Sequence, residues 1–397
     1  MKKTNARGRL PAVAACLLLQ LCMGILYVWS VFRQSTIDCF GWESGAVNLV
    51  SALMLFCFCF GNLAGGAWQD RVGPRRVAFV GVPLFGAGIL LSSVWRPGAP
   101  VGCFYFSYCL IAGFSSGLAY GPMLCCVQRW FPERRGFATG LAASAFGLST
   151  VVFAPLVSRL LTAVGLPATL RILGVVFLLV GICACLLIRV PEAKPGAAAD
   201  TEVSLTPGQA MRTLPFWLLF LSCFLYNGTW NMLTPLIKSL GLERGLSAGM
   251  ATLCVSLTGL TNAAGRLLMS SLSDRLGRLR TLALLCGVTL AAALGLTAAG
   301  GSAYFALVLL AAFAYGGPAA INPAATADFF GPRSAGTNYG VIMLALGVSS
   351  VAFNALSSAL TAATGSYTAT FLVGAATALG AAAVVAVMAR LLRKAGK

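Results

Sequence analysis

Apolar runs long enough to cross a bilayer follow one another along the chain, separated by short turns rich in Gly, Pro and Arg. A spanning helix takes about 20 residues, and twelve such runs are legible: 10–32, 45–68, 77–95, 101–128, 137–162, 168–189, 214–240, 247–272, 280–299, 302–327, 336–362 and 367–392. The first run has no small-residue cleavage site, so it reads as a first helix and not as a removed signal peptide. One extended polar stretch, Pro191 to Pro207, falls between runs six and seven and has the composition of a flexible linker. The pattern predicts an all-α polytopic membrane protein of twelve helices in two six-helix halves, 1–190 and 213–397, joined by a linker over 191–212.

Composition narrows this further. Of 397 residues, 58% are hydrophobic and only 10% are charged, against about 25% charged in a soluble domain. Twelve helices leave short loops and no room for a sizeable extramembrane domain, which disfavours a membrane-anchored catalytic domain. The chain has no His, no nucleophile–base pair and no plausible metal cluster, so neither an enzyme nor a cofactor or metal is expected. Net charge is +18, from 28 Lys+Arg against 10 Asp+Glu. In a soluble protein that balance would suggest nucleic acid; here the charges lie between apolar runs and report topology instead. Placing both ends in the cytoplasm puts 21 cations inside and six outside, with Arg266 left over. The positive-inside rule therefore predicts an inner (plasma) membrane protein with cytoplasmic termini. The 14 Cys lie mostly inside the runs and read as small buried hydrophobes, not a disulfide framework.

The two halves repeat. Gly66-Ala-Trp-Gln-Asp70-Arg71-Val-Gly73-Pro-Arg75-Arg76 follows the second run, and Ser270-Ser-Leu-Ser-Asp274-Arg275-Leu-Gly277-Arg278 follows the eighth, 204 residues later. Trp130-Phe131-Pro132-Glu133-Arg134-Arg135-Gly136 is echoed by Phe329-Phe330-Gly331-Pro332-Arg333-Ser334-Ala335-Gly336, just before runs five and eleven. Parallel halves of this kind are an alternating-access transporter design, with the substrate near the midplane. In each motif a small residue lets helices approach and the glycine permits a tight turn. The carboxylates of Asp70 and Asp274 can accept charge-assisted bonds from an Arg or a helix N-terminus and so clamp one conformation. Asp70, Arg71, Gly73, Arg75, Asp274, Arg275, Gly277 and Arg278 are the expected gating residues.

This motif pair resembles the signature of the major facilitator superfamily, and the likeness runs over essentially the whole chain. A narrower resemblance, to the oxalate/formate antiporter family, rests on Gly24-Ile-Leu-Tyr27-Val-Trp29-Ser30-Val-Phe32, Gly41-Trp42 and Tyr120-Gly121-Pro122. The Arg129–Gly136 stretch, Asn262-Ala-Ala-Gly265-Arg266 and Asn338-Tyr339-Gly340 extend it. The resemblance implies anion exchange; the expected partners are the substrate and the lipid bilayer, with no nucleic acid, and a monomer is the expected functional unit because a two-half fold needs no partner to form a site.

Arg266 is the candidate substrate residue. It lies eight positions before Asp274, about 12 Å along the helix, in a core whose half-thickness is about 15 Å. An Arg at the membrane centre costs about 2.5–3.5 kcal/mol on insertion scales and should face a polar cavity or a partner. Its guanidinium fork fits a carboxylate; the alternative is that it snorkels to the interface. Asn262, four residues earlier, shares its helical face. The related monocarboxylate transporters resemble this segment but carry Asp there, pairing the Arg and helping couple protons; Asn cannot titrate. The oxalate-type member has a second cation in span eleven, where alignment on Asn338-Tyr339-Gly340 puts Leu346 here. One Arg balances one charge, so a formate-, lactate- or pyruvate-like monocarboxylate is expected over oxalate. Tyr27, Tyr120, Tyr226, Trp230, Tyr315 and Asn322 are further cavity candidates, with helix packing as the competing role for each. Asp328, closing span ten, reads as a carboxylate that pairs a loop Arg. The rival functions are efflux of an uncharged or cationic compound, with Arg266 structural, and a non-transporting membrane sensor.

Overall fold

A computed structural model describes residues 4–191 and 204–394. Within them all regular structure is helical. Nine helices are long and apolar enough to cross a membrane: Gly8–Phe40 (α1), Gly45–Val72 (α2), Pro74–Ser92 (α3), Val101–Trp130 (α4), Arg135–Leu187, Arg278–Leu296 (α9), Gly301–Phe330 (α10), Ala335–Thr364 (α11) and Thr368–Arg393 (α12). Arg135–Leu187 is two helices in one. Gly165 adopts φ 75° and ψ 176°, outside the helical region, and turns 135–164 (α5) into 166–187 (α6). Two more helices have the length but carry polar interiors: Leu214–Leu233 (α7), with Asn227, Thr229 and Asn231, and Ala248–Leu276 (α8), with Asn262 and Arg266. Twelve spans result among the described residues, matching the twelve apolar runs.

The departures from regular helix have local causes. Pro235 removes a main-chain donor, and α7 passes through a 3₁₀ turn, Thr234–Leu236, before resuming over Ile237–Glu243. A π-helical stretch, Tyr105–Gly113, opens α4. Large apolar side chains are exposed along the spans, among them Leu179, Leu186, Leu268 and Leu379. Such a surface needs lipid, not water, around it. All 14 cysteines are free thiols, nine of them buried.

Contacts divide the chain into two units. The first comprises residues 1–133, 145–205 and 329–341; the second comprises 134–144, 206–328 and 342–397. The expected halves, 1–190 and 213–397, differ from this in two short segments that change sides: the start of α5 and the start of α11. The reason is hydrogen bonding. Asp274 holds the first residues of α5 and Asp70 those of α11, as described below. Residues 192–203 of the expected linker lie outside the described residues. After them Leu205 N donates to Phe330 O at 2.8 Å, and Thr206 and Gln209 form a capping box on the short helix Pro207–Ala210.

Packing inside each unit carries the repeat further than the motifs do. In the first, Gly61 of α2 lies against the Phe114 carbonyl of α4; in the second, Gly265 of α8 lies against the Phe313 carbonyl of α10. Gly61 and Gly265 stand 204 residues apart, the spacing of Asp70 and Asp274.

Candidate functional site

The second unit holds Arg266. It is 2% exposed, so the snorkelling alternative fails: the guanidinium stays inside the helix packing. Nε donates to Asn262 Oδ1 at 2.8 Å, and Nη1 donates to the Ala143 carbonyl of α5 at 3.0 Å. Both acceptors are neutral oxygens. Asn262 is itself buried and sits one helical turn before Arg266 on the face they share. Its amide therefore sets the plane of the guanidinium. α10 passes close by: a Cβ on Gly316 would meet the Asn262 carbonyl and lie 3.0 Å from Arg266 N. Tyr315, next in sequence, thus stands at the level of Arg266. It stacks on Trp230 of α7, ring centroids 5.1 Å apart and planes 19° from parallel.

The remaining candidates of this unit end inside helix contacts. The Tyr226 phenol donates to the Ala314 carbonyl and receives the Thr289 hydroxyl at 3.4 Å, within an apolar cluster that includes Met269, Leu285 and Ile321. Asn322 is buried beside the Cys223 thiol, to which its side chain hydrogen-bonds. Leu346 is buried.

The first unit carries Tyr27 and Tyr120, and both meet Phe146. Tyr27, 41% exposed, packs edge-on at 5.4 Å. Tyr120, fully buried, packs edge-on at 5.1 Å and also against Phe58 at 5.2 Å. Phe146 was not among the candidates from sequence; an apolar aromatic inside an apolar run gives no signal there.

At the turn ends, the two Asp motifs form the same device. In the first unit Asp70 accepts from Gly336 N at 3.2 Å, Thr337 N at 2.8 Å and Thr337 Oγ1 at 2.6 Å. In the second, Asp274 accepts from Gly136 N and Phe137 N, each at 2.8 Å. Each carboxylate therefore caps the first turn of a helix, α11 or α5, whose leading N–H groups have no partner within the helix and whose dipole favours a negative charge. The following glycines adopt φ 86° (Gly73) and φ 90° (Gly277), a region closed to most side chains, which fixes the turn after each Asp.

The basic residues of the motifs do not behave alike. Arg71, Arg75 and Arg275 are exposed, Arg75 lying 5.6 Å over the Phe79 ring. Arg278 turns inward and bridges Asp274 at 2.6 Å and Asp328 at 2.8 Å, and Arg135 reaches Asp328 at 3.1 Å. Asp328 is thus a carboxylate between two arginines. Thr337, which donates to Asp70 through its N–H and its hydroxyl, and the main chain of Ala143 are contributors the sequence did not single out; a backbone carbonyl such as that of Ala143 leaves no mark in a sequence.

The chain matches the model of the Major Facilitator Superfamily over residues 12–354 and again over 219–397. It is 30% identical over 356 residues to the oxalate:formate antiporter of Oxalobacter formigenes, covering 88% of this chain and 84% of that protein. It is 26% identical to monocarboxylate transporter 13 of Bos taurus over 375 residues, 92% of this chain and 85% of that one. The solved structure of the transporter FucP in the outward conformation superposes with a TM-score of 0.75 at 16% identity, over 97% of this chain and 99% of that one; this likeness shows the fold.

Proposed function

Because the chain belongs to the Major Facilitator Superfamily, and so is a multi-pass membrane transporter by family, we propose that it moves a small organic monocarboxylate by alternating access, exchanging one anion for another. The observation that carries this reading is Arg266, 2% exposed at mid-helix and held in plane by Asn262. A buried guanidinium costs several kcal/mol to desolvate, which favours a functional counter-charge over an ornamental one. A carboxylate supplies that charge with two oxygens that match one edge of the fork.

The likeness to an oxalate:formate antiporter and to a monocarboxylate transporter supports an anion. Leu346, apolar and buried, favours a single negative charge. A second carboxylate would be desolvated there without a cation. Trp230 and Tyr315, stacked at the level of Arg266, would bound the organic part of the substrate. Asp70 and Asp274 would set the balance between conformations, since each holds the start of a helix in the other sequence half. The charge distribution, 21 cations against six, supports the plasma membrane with both termini cytoplasmic. A monomer suffices for all of these roles.

The test is uptake of radiolabelled formate, lactate and oxalate into proteoliposomes preloaded with each anion, for wild type and Arg266→Gln. Saturable monoanion exchange that disappears in the variant supports the reading. Transport of oxalate as fast as formate would remove the argument from Leu346. Absence of all anion transport in well-folded protein would favour efflux of an uncharged or cationic compound, with Arg266 structural.

A further inference from the structure

Arg266, Ser270 and Asp274 recur every four residues and so line one face of α8. The start of α5 lies along that face. Asp274 holds Gly136 N and Phe137 N at one end, and Arg266 Nη1 holds the Ala143 carbonyl at the other. Between them the helices are in main-chain contact. A Cβ on Gly140 would strike Ser270 Oγ and lie 2.7 Å from the Arg266 carbonyl. The segment of α5 that groups with the second unit ends at Ser144, one residue past the Arg266 contact.

The first unit has the equivalent strip, but its inner end is different. There α2 meets the start of α11: Gly66 lies against Gly336, Asp70 holds Gly336 N and Thr337 N, and a Cβ on Gly340 would lie 2.6 Å from Leu63 Cα. The position 204 residues before Arg266 is Asn62. It is 1% exposed, and neither Oδ1 nor Nδ2 has a hydrogen-bond partner among the described residues. One strip therefore has a cationic grip at its inner end, and the other has packing alone.

We propose that the Ala143 carbonyl occupies the guanidinium edge that a substrate carboxylate takes, so that anion binding at Arg266 releases α5 from α8. This rests on the reading of Arg266 as the carboxylate site. A carboxylate brings a full negative charge and two oxygens to the guanidinium, where the carbonyl offers only a dipole and one oxygen, so the anion wins the exchange. Ala143 loses little, because its oxygen keeps its place in the α5 hydrogen-bond ladder. The released strip keeps the Asp274 cap, the Gly140 contact and the Arg135–Asp328 ion pair at its outer end but loses its inner anchor, so the stretch around Ala143 gains freedom to move. The first unit lacks a guanidinium at the matching place, so substrate acts on the α5 strip and not on the α11 strip. Latching also lowers the apparent affinity: the measured Kd exceeds the intrinsic one by the reciprocal of the unlatched fraction.

The experiment uses the full chain, purified in detergent, as wild type, Gly140→Ala and Arg266→Gln. Calorimetry with formate and lactate gives Kd, and hydrogen–deuterium exchange is followed on peptides covering 134–147 and 335–345. Saturating anion should speed wild-type exchange over 134–147 several-fold and leave 335–345 unchanged. Gly140→Ala, which wedges α5 off α8, should exchange fast without anion and bind it about 3-fold or more tighter. A merely structural contact would give weaker binding in that variant. Unchanged exchange over 134–147 at saturation, with binding lost in Arg266→Gln, would overturn the latch and leave the carboxylate site standing. An equal or weaker Kd in folded Gly140→Ala would also overturn it; should that variant not fold, the wild-type exchange decides. Wild-type affinity in Arg266→Gln, or no anion binding by wild type, would defeat the carboxylate reading and the latch with it.

Discussion

Arg266 Nε donates to Asn262 Oδ1 at 2.8 Å, a contact between two buried side chains one turn apart on α8. An amide can orient a guanidinium without neutralising it. Asn262→Asp replaces that acceptor with an acid. Ionised, it pairs Arg266 and competes with a substrate carboxylate; protonated, it behaves as the amide does. Anion affinity of the variant should fall as pH rises through the pKa of the new acid, about tenfold at pH 8 or ~1.4 kcal/mol, and recover on acidification. Formate stays ionised between pH 5 and 8, so Kd measured across that range isolates the effect. A flat profile identical to wild type would show that Asn262 does not control the guanidinium.

Arg278 stands between two carboxylates, Asp274 at 2.6 Å and Asp328 at 2.8 Å, while Asp274 caps α5. In Arg278→Gln the two acids lose their shared counter-ion, leaving Arg135 on Asp328 alone. Amide exchange at Gly136 and Phe137 should quicken about tenfold, ~1.4 kcal/mol of lost protection. Added salt should shrink the difference between variant and wild type, since these groups are partly exposed.

On the other strip a hydroxyl replaces the second ion pair: Thr337 Oγ1 donates to Asp70 Oδ2 at 2.6 Å. Thr337→Val keeps the shape and removes the donor, which should cost about 1–2 kcal/mol and lower the midpoint of thermal unfolding in detergent. Thr337→Ser keeps the donor and should melt near wild type. Equal melting of all three proteins would show that the main-chain bonds suffice to hold α11.

Leu346 is buried at the place where the oxalate-type resemblance puts a second cation. Leu346→Lys should shift preference toward dianions, raising the oxalate-to-formate exchange ratio about tenfold. Without a dianion the buried ammonium lacks a partner, so the variant should be less heat-stable and be rescued by oxalate. An unchanged ratio in a folded variant would mean that Leu346 lies away from the substrate.

Much of this was readable before any coordinates. Uninterrupted apolar runs determine the helices, because lipid admits only backbones that satisfy their own hydrogen bonds. The duplicated Asp-Arg-x-Gly motifs determine the turns, since Gly73 and Gly277 need positive φ. The sequence likewise singled out Arg266, Asn262, Asp70 and Asp274, because charge and amide groups inside apolar helices are costly without a purpose.

Only the tertiary structure decided what those groups hold. Asp274 and Asp70 hold main-chain N–H groups at the starts of α5 and α11, and the acceptor for Arg266 Nη1 is the carbonyl of an alanine. Every residue type supplies such groups, so no sequence pattern can reveal them. The same is true of the aromatic candidates: Tyr226 went to the Ala314 carbonyl and Trp230 to the face of Tyr315. Which partner a ring finds depends on the rotation and separation of neighbouring helices. Those are set by close contacts such as Gly265 on Phe313 and Gly316 on Asn262, which arise only when segments distant in the chain are packed together.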